Sequence, residues 1–240
     1  SLDRRQRQMC IRDSAYYATT SFVDAQVGKV LDKLKETGLD KNTIVIFTSD
    51  HGYHLGEKGH WQKQTLYDRS TRVPLIIAGP GILSNKKEMS TPVELIDIYK
   101  TITDLLGFKT PAFVQGESLK PILTNEKKIN KSSALSELQV YLNGKIAQGY
   151  SIKTSRYRLI KWNYKNDIYY EFYDHKIDKD ESNNLSNNPS YQLVMDSLKI
   201  ELANRVKQAS LKPNGVGKQI ENAQPTFEPL RIQSHPKSKN

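Results

Sequence analysis

The run Thr48-Ser49-Asp50-His51-Gly52 places a carboxylate and an imidazole side by side, directly after the apolar stretch Thr43-Ile44-Val45-Ile46-Phe47. Gly52 allows a turn sharp enough to aim both side chains at one point. A carboxylate at a strand end can hold a hard divalent cation, and strand ends are where ligands gather in open α/β sheets. Spacing alone leaves a second reading open, a capping Asp beside a packing His. The connection that follows, residues 52–81, is long and polar and carries His54, His60 and Lys63, groups able to transfer protons or face an anion. Lys63 can stabilise charge on an oxyanion, or it can be an ordinary solvated lysine.

The elements that must position these residues are legible as patterns. Val23, Val27, Val30, Leu31 and Leu34 recur at helical spacing within residues 16–35, and Gly38 offers a stop. Residues 43–48 are apolar and β-branched without polar alternation, as in a strand buried on both faces of a parallel sheet. Residues 73–78, closed by Gly79-Pro80-Gly81, read as a second such strand, and residues 92–106 as another helix. Helix, short loop and buried strand indicate an α/β layer structure. The composition turns to Lys, Asn and Ser over 125–133, a candidate boundary. Beyond it, residues 145–151, 157–162 and 169–173 are aromatic-rich and alternate like antiparallel strands, and 191–208 reads as a helix. From about residue 213 the chain is rich in Pro, Asn, Gln and Lys, and an extended or disordered tail is expected. No internal repeat is visible.

The chain has 240 residues, 37% hydrophobic and 26% charged, enough to bury a core. No apolar run approaches the length needed to cross a bilayer. Cys10 is the single cysteine, which excludes a disulfide framework and a cysteine-rich metal site. Residues 4–14, RRQRQMCIRDS, resemble the translation of a sequencing-library adapter, so 1–14 are expected to be foreign to the natural protein, Cys10 to carry no chemistry, and the natural chain to extend upstream of Ala15. That segment holds four arginines and two aspartates of a chain whose net charge is +10. A surplus of positive charge favours anionic partners. No zinc-finger spacing, aromatic RNA-binding pattern or basic amphipathic helix is present, so no nucleic-acid partner is expected.

The stretches YATTSFVDAQVGKVLDKL, IVIFTSDHGYHLGEKGHWQK and YDRSTRVPLIIAGPG, within residues 17–81, resemble the sulfatases of the alkaline-phosphatase superfamily, nearest their iduronate-2-sulfatase branch. The likeness continues more weakly through PVELIDIYKTITDLLG and GESLKPIL and returns in QGYSIKTSRYRLIKW and EFYDHKIDKDESNNL. It implies the C-terminal part of an alkaline-phosphatase-like α/β fold, with a mixed or parallel sheet flanked by helices, followed by a small α+β subdomain with an antiparallel sheet. The corresponding division is 1–14 adapter, 15–130 catalytic α/β domain, 131–212 subdomain and 213–240 tail.

Residue by residue, the resemblance makes Asp50 a calcium ligand and Lys63 a sulfate contact. His51 fills a position that is Asn in many relatives; as a poor ligand for a hard cation it is expected at the metal's edge or on the sulfate. His60 is a candidate general acid for the leaving sugar oxygen. Tyr53 and Trp61 can line a sugar subsite or simply pack the loop. Asp24 and Asp97 fall on helices, where solvated or capping roles are expected, and Asp174 and His175 are expected to organise a turn. The implied cofactor is Ca2+, with Mg2+ or a transition metal as alternatives. The implied nucleophile is a formylglycine made within a Cys/Ser-x-Pro/Ala-x-Arg motif, which this sequence does not contain; Cys10 is followed by Ile11-Arg12-Asp13. The expected substrate is a sulfated glycan and the expected location periplasmic or secreted, with this chain inactive alone. Two rivals remain: a phosphodiesterase or phosphonate monoester hydrolase of the same superfamily, and a non-catalytic module that binds anionic polysaccharide.

Overall fold

The computed structural model describes residues 4–83, 88–124 and 131–211, with side chains from residue 9 onward. The tail expected from residue 213 lies outside the described residues. Helix α1 (Arg4–Glu36) runs without a break through residues 4–14 and 15–36. Lys33 and Lys35 in its last turn complement the helix dipole, and Gly38, at φ 72°, lets the chain leave in a left-handed step. Its apolar stripe is only partly covered: Val23, Val30 and Leu31 stay exposed, and Leu34 is half-buried.

After a 3-10 turn come β1 (Val45–Thr48), the short hairpin strands β2 (His54–Leu55) and β3 (Trp61–Gln62), the one-turn helix α2 (Asp68–Thr71) and β4 (Leu75–Ala78). The sequence pattern suggests parallel strands buried on both faces; β1 and β4 instead pair antiparallel, from Val45 opposite Ala78 to Thr48 opposite Leu75, and Phe47 and Ile76 are exposed. The reason lies in the connection. Parallel neighbours need a crossover, usually a long helix. Here the chain between them folds into a hairpin and a single helical turn and comes back alongside β1. The α/β class stands, while every strand pair among the described residues is antiparallel.

Helices α3 (Asp97–Leu105) and α4 (Lys120–Leu123) lead to a four-stranded antiparallel meander, β5 (Ser133–Leu142), β6 (Lys145–Thr154), β7 (Tyr157–Tyr164) and β8 (Asp167–Asp174), and then to α5 (Gln192–Ala209). The β5–β6 turn is Asn143-Gly144, both at positive φ, as the right-handed twist of a two-residue hairpin requires. The sheet has two different faces. Ile152, Leu159 and Phe172 pack against Met195, Leu198 and Leu202 of α5, while Ile160 and Tyr173, on the other face, pack against Leu66 and Tyr67 from the segment just after β3. The period of two along each strand is what separates the faces. The meander is thus a platform: α5 closes one side, and the segment carrying the candidate site residues lies on the other.

Asp97 is fully buried, accepting from the backbone N–H groups of Glu94 and Glu117 and pairing with Lys131. Its role is to hold the start of α3. Asp174, also buried, takes a two-pronged hydrogen bond from Arg156 and accepts from the Lys176 amide, so it organises the turn after β8. The Arg156 hydrogen bonds hold its carboxyl down at about 2. A depressed folded-state value contributes stability above the unfolded value, near 3.9, and loses it as pH falls through the folded one. Asp174→Asn is therefore expected to destabilise the protein at neutral pH, and its penalty to shrink between about pH 4 and pH 2. Urea melts of both proteins across that range check this; a pH-independent gap would refute it.

Candidate functional site

The turn after β1 is fixed by its own backbone. Ser49 Oγ donates to the His51 carbonyl at 2.8 Å, and the His51 N–H donates to Asp50 Oδ1 at 3.0 Å. His51 Nδ1 lies 2.7 Å from the Gly52 carbonyl, which can only accept, so Nδ1 carries a proton and the lone pair of the neutral tautomer sits at Nε2. That Nε2 lies 3.6 Å from Asp50 Oδ2, on a carboxylate side chain 82% exposed. A free carboxylate oxygen and a free imidazole lone pair therefore face one point. Gly52 makes the turn possible, because its N–H donates to the Ser70 carbonyl at 2.8 Å and a Cβ there would collide with the Arg69 carbonyl oxygen.

From Ser70 a buried chain runs back to the hairpin. Thr65 Oγ1 donates to Ser70 Oγ at 2.8 Å, so His54 Nε2, 2.7 Å away, donates to Thr65. His54 is fully buried, and burial lowers its pKa; its Nδ1 has no hydrogen-bond partner among the described residues and lies 3.9 Å from Glu57 Oε2. The sequence offers His54 as a proton-transfer group, but burial keeps it from any substrate and makes it a structural tie. His60 is exposed, its ring 5.8 Å from that of His54 and 6.0 Å from that of Tyr67. Tyr53 stacks on Tyr16 of α1 at 5.3 Å, and Trp61 lies beside Gly56 with the Arg12 guanidinium 4.8 Å over its ring. Lys63 is exposed, and its ammonium makes no hydrogen bond or ion pair among the described residues. The structure brings Asp50 and His51 together; no hydrogen bond or ion pair among the described residues joins either to His60, Trp61 or Lys63.

A second constellation is invisible to a motif search. Arg158 on β7 is 1% exposed, and its guanidinium reaches Glu181, Asp68, Ser151 Oγ and the Leu66 carbonyl. Glu181, equally buried, also accepts from the Asp68 amide and lies 2.8 Å from His175 Nε2. Lys153 stands on the same sheet face; burial and the Arg158 charge push its ammonium down to about 8. The only available signal was an arginine in the apolar context Tyr157-Arg158-Leu159-Ile160, since buried charges must be paired.

Two places can be weighed as metal sites. Ligand atoms of Asp68, His175 and Glu181 lie within 4.8 Å of one another, but Arg158 already pairs with both carboxylates, and a dication there would be repelled by the guanidinium. This cluster fits an ion pair. Asp50 with His51 offers the right hard oxygen and an open approach, yet a calcium ion takes roughly six to eight oxygen ligands. Among the described residues no group of three ligands includes Asp50. These two residues thus fit one side of a cation site, and no catalytic step is derived through the ion.

Comparison with known proteins gives a consistent picture. A family model described as N-sulphoglucosamine sulphohydrolase, C-terminal, matches residues 56–208, and one described as type I phosphodiesterase / nucleotide pyrophosphatase matches residues 1–87. A sulfatase of Formosa agariphila is 36% identical over 185 residues, covering 77% of this chain and 34% of the relative. An N-acetylglucosamine-6-O-sulfatase of Bacteroides thetaiotaomicron is 34% identical, covering 77% and 33%. The chain spans about a third of the length of these curated relatives. Among solved structures, a 2-O GAG sulfatase superposes with TM-score 0.77 at 29% identity, covering 90% of this chain and 48% of the other. A phosphonate monoester hydrolase from Silicibacter pomeroyi gives 0.67 at 27% identity, covering 79% and 39%.

Proposed function

This chain belongs to the sulfatase family, and from that premise we propose that the complete enzyme hydrolyses a sulfate ester of a glycan, with Asp50, His51 and Lys63 at the sulfate. The observation that carries the reading is the turn after β1, which leaves Asp50 Oδ2 and His51 Nε2 unclaimed and 3.6 Å apart while Gly52 is locked against α2. Asp50 is the hard-cation ligand. His51, through Nε2, faces the same cation's edge or a sulfate oxygen. Lys63, extended into solvent, neutralises charge developing on the sulfate oxygens. His60 stands on the exposed side of the hairpin, where a general acid can reach a leaving sugar oxygen. Tyr53 and Trp61 supply aromatic surface for the sugar. The bound divalent cation, Ca2+ in this reading, supplies positive charge at the sulfate.

The nucleophile motif of the family does not occur in this sequence, so the proposal assigns nucleophilic attack to a formylglycine elsewhere in the complete enzyme and expects no turnover from this chain alone. An iduronate-2-sulfatase-like specificity follows the sequence resemblance. No helix among the described residues is long and apolar enough to cross a membrane. A periplasmic or secreted enzyme suits a glycan substrate. A second reading, hydrolysis of a phosphodiester or phosphonate monoester, is favoured by the phosphodiesterase match over residues 1–87 and by the phosphonate hydrolase superposition. The deciding experiment assays the complete enzyme on sulfated uronate and glucosamine monosaccharides and on an aryl phosphonate monoester. Inorganic sulfate as the dominant product is expected; turnover of the phosphonate alone overturns the sulfatase reading.

A further inference from the structure

The hairpin β2–β3 is too short to hold itself. It pairs only His54 with Gln62 and Leu55 with Trp61, and an isolated hairpin is at best marginal in water even when longer. Its tip, Glu57–Gly59, is a tight turn in which Lys58 itself is left-handed, at φ 55°. A lysine in that region is uncommon.

The Lys58 ammonium lies 4.2 Å over the Tyr67 ring and 4.8 Å over the Tyr173 ring, and donates to Tyr173 Oη at 3.3 Å. Both phenols donate to one oxygen of Glu171, at 2.8 and 2.6 Å, while Trp162 Nε1 donates to the other oxygen at 3.1 Å. Burial raises the pKa of both phenols, so each remains a donor. The outcome is an open box of two phenol rings over a carboxylate, built on β7, β8 and the residue before α2, with the chain's own exposed lysine laid across it. A cation over two phenol rings whose hydroxyls polarise toward a carboxylate is favourably placed. At the other end of the hairpin, Gln62 is also left-handed, at φ 71°, and directly precedes Lys63. Whatever fixes the hairpin therefore fixes the direction in which Lys63 leaves it.

We infer that Lys58 is a positioning residue: seated in the Tyr67–Tyr173–Glu171 box, it latches the hairpin to the C-terminal sheet and so holds Lys63 in place. The role of Lys63 rests on the sulfatase reading above, whereas the latch does not. The test uses the complete enzyme and its Lys58→Met and Lys58→Arg variants, with hydrogen exchange at the Gly56, Gly59 and His60 amides and steady-state kinetics on a sulfated monosaccharide. Lys58→Met keeps the aliphatic stem and removes the charge. It is expected to speed exchange at those amides about tenfold or more while β5–β8 stay protected. It should also lower kcat about tenfold with little change in KM, because misplacing one group by about an ångström is costly. Lys58→Arg should restore both, since its cation can stack on the same rings. Unchanged exchange in Lys58→Met overturns the latch, and faster exchange with unchanged kcat overturns the positioning of Lys63. Should the unaltered enzyme release no sulfate, the functional reading fails and the exchange result still decides the latch.

Discussion

Lys63→Ala in the complete enzyme is expected to cut kcat for sulfate release by about 10²–10³-fold, the usual loss when one preorganised charge contact to a developing oxyanion is removed, roughly 3–4 kcal/mol of barrier. Stability should not move. Lys63 is exposed and its ammonium has no partner among the described residues, so deleting it strips no contact from the fold. An exposed lysine is also a strongly hydrated charge on a flexible stem, whose value to catalysis depends on being aimed. Asp50→Ala should lose activity alike through its proposed cation contact, and should also leave stability unmoved, since its side chain is exposed and bonds only within its own turn. The measurement pairs kinetics with a thermal melt of each variant. Full activity in both variants would remove Asp50 and Lys63 from the site, and a fall in activity matched by unfolding would mean that the loss is structural.

Arg158→Ala is expected to destabilise the protein by about 3–5 kcal/mol, the range found when one partner of a buried ion pair is removed and the other is left uncompensated. Glu181, 1% exposed, would keep only the Asp68 amide and His175 as partners. At present burial pushes its carboxyl up, but the His175 hydrogen bond and the Arg158 charge outweigh that and hold it below its ordinary value. The Leu66 carbonyl and Ser151 hydroxyl would lose their donor as well. Asp68 would lose its contact with Arg158, the direct ion pair between α2 and β7, so the damage should spread to the Gly52–Ser70 contact beneath the candidate site. Urea unfolding measures the loss. The double change Arg158→Met with Glu181→Leu should cost less than Arg158→Ala, because no buried charge is then orphaned. A penalty below about 1 kcal/mol for the single change would show that solvent reaches this network.

The sequence revealed those elements whose periodicity is strong and local. The strands at 145–154, 157–164 and 167–174 and the helix at 192–209 all lie where alternation or helical spacing placed them, with ends extended by a few residues. Strand β5 escaped notice because Ser133–Leu142 mixes Ser, Glu and Gln among its apolar residues, although Asn143-Gly144 marked the turn beyond it. The orientation of β1 and β4 was not legible either, since an apolar run records burial and not direction. In the same way, His54 and Lys58 look like loop residues in sequence, and only their distant partners, Thr65 and Tyr173, show that they are ties.

By itself, then, the sequence determined the class of fold and the family, and it put forward Asp50, His51 and Lys63 as candidates, because residue type and short-range spacing suffice for that. The tertiary structure decided which of the histidines is sealed away, which imidazole nitrogen of His51 is free and what holds the hairpin that precedes Lys63. The hold on the hairpin depends on a contact between positions 115 residues apart, Lys58 with Tyr173, whereas the His51 ring is set by its neighbour Gly52 and His54 by Thr65, 11 residues on; residue type and spacing encode none of these geometries.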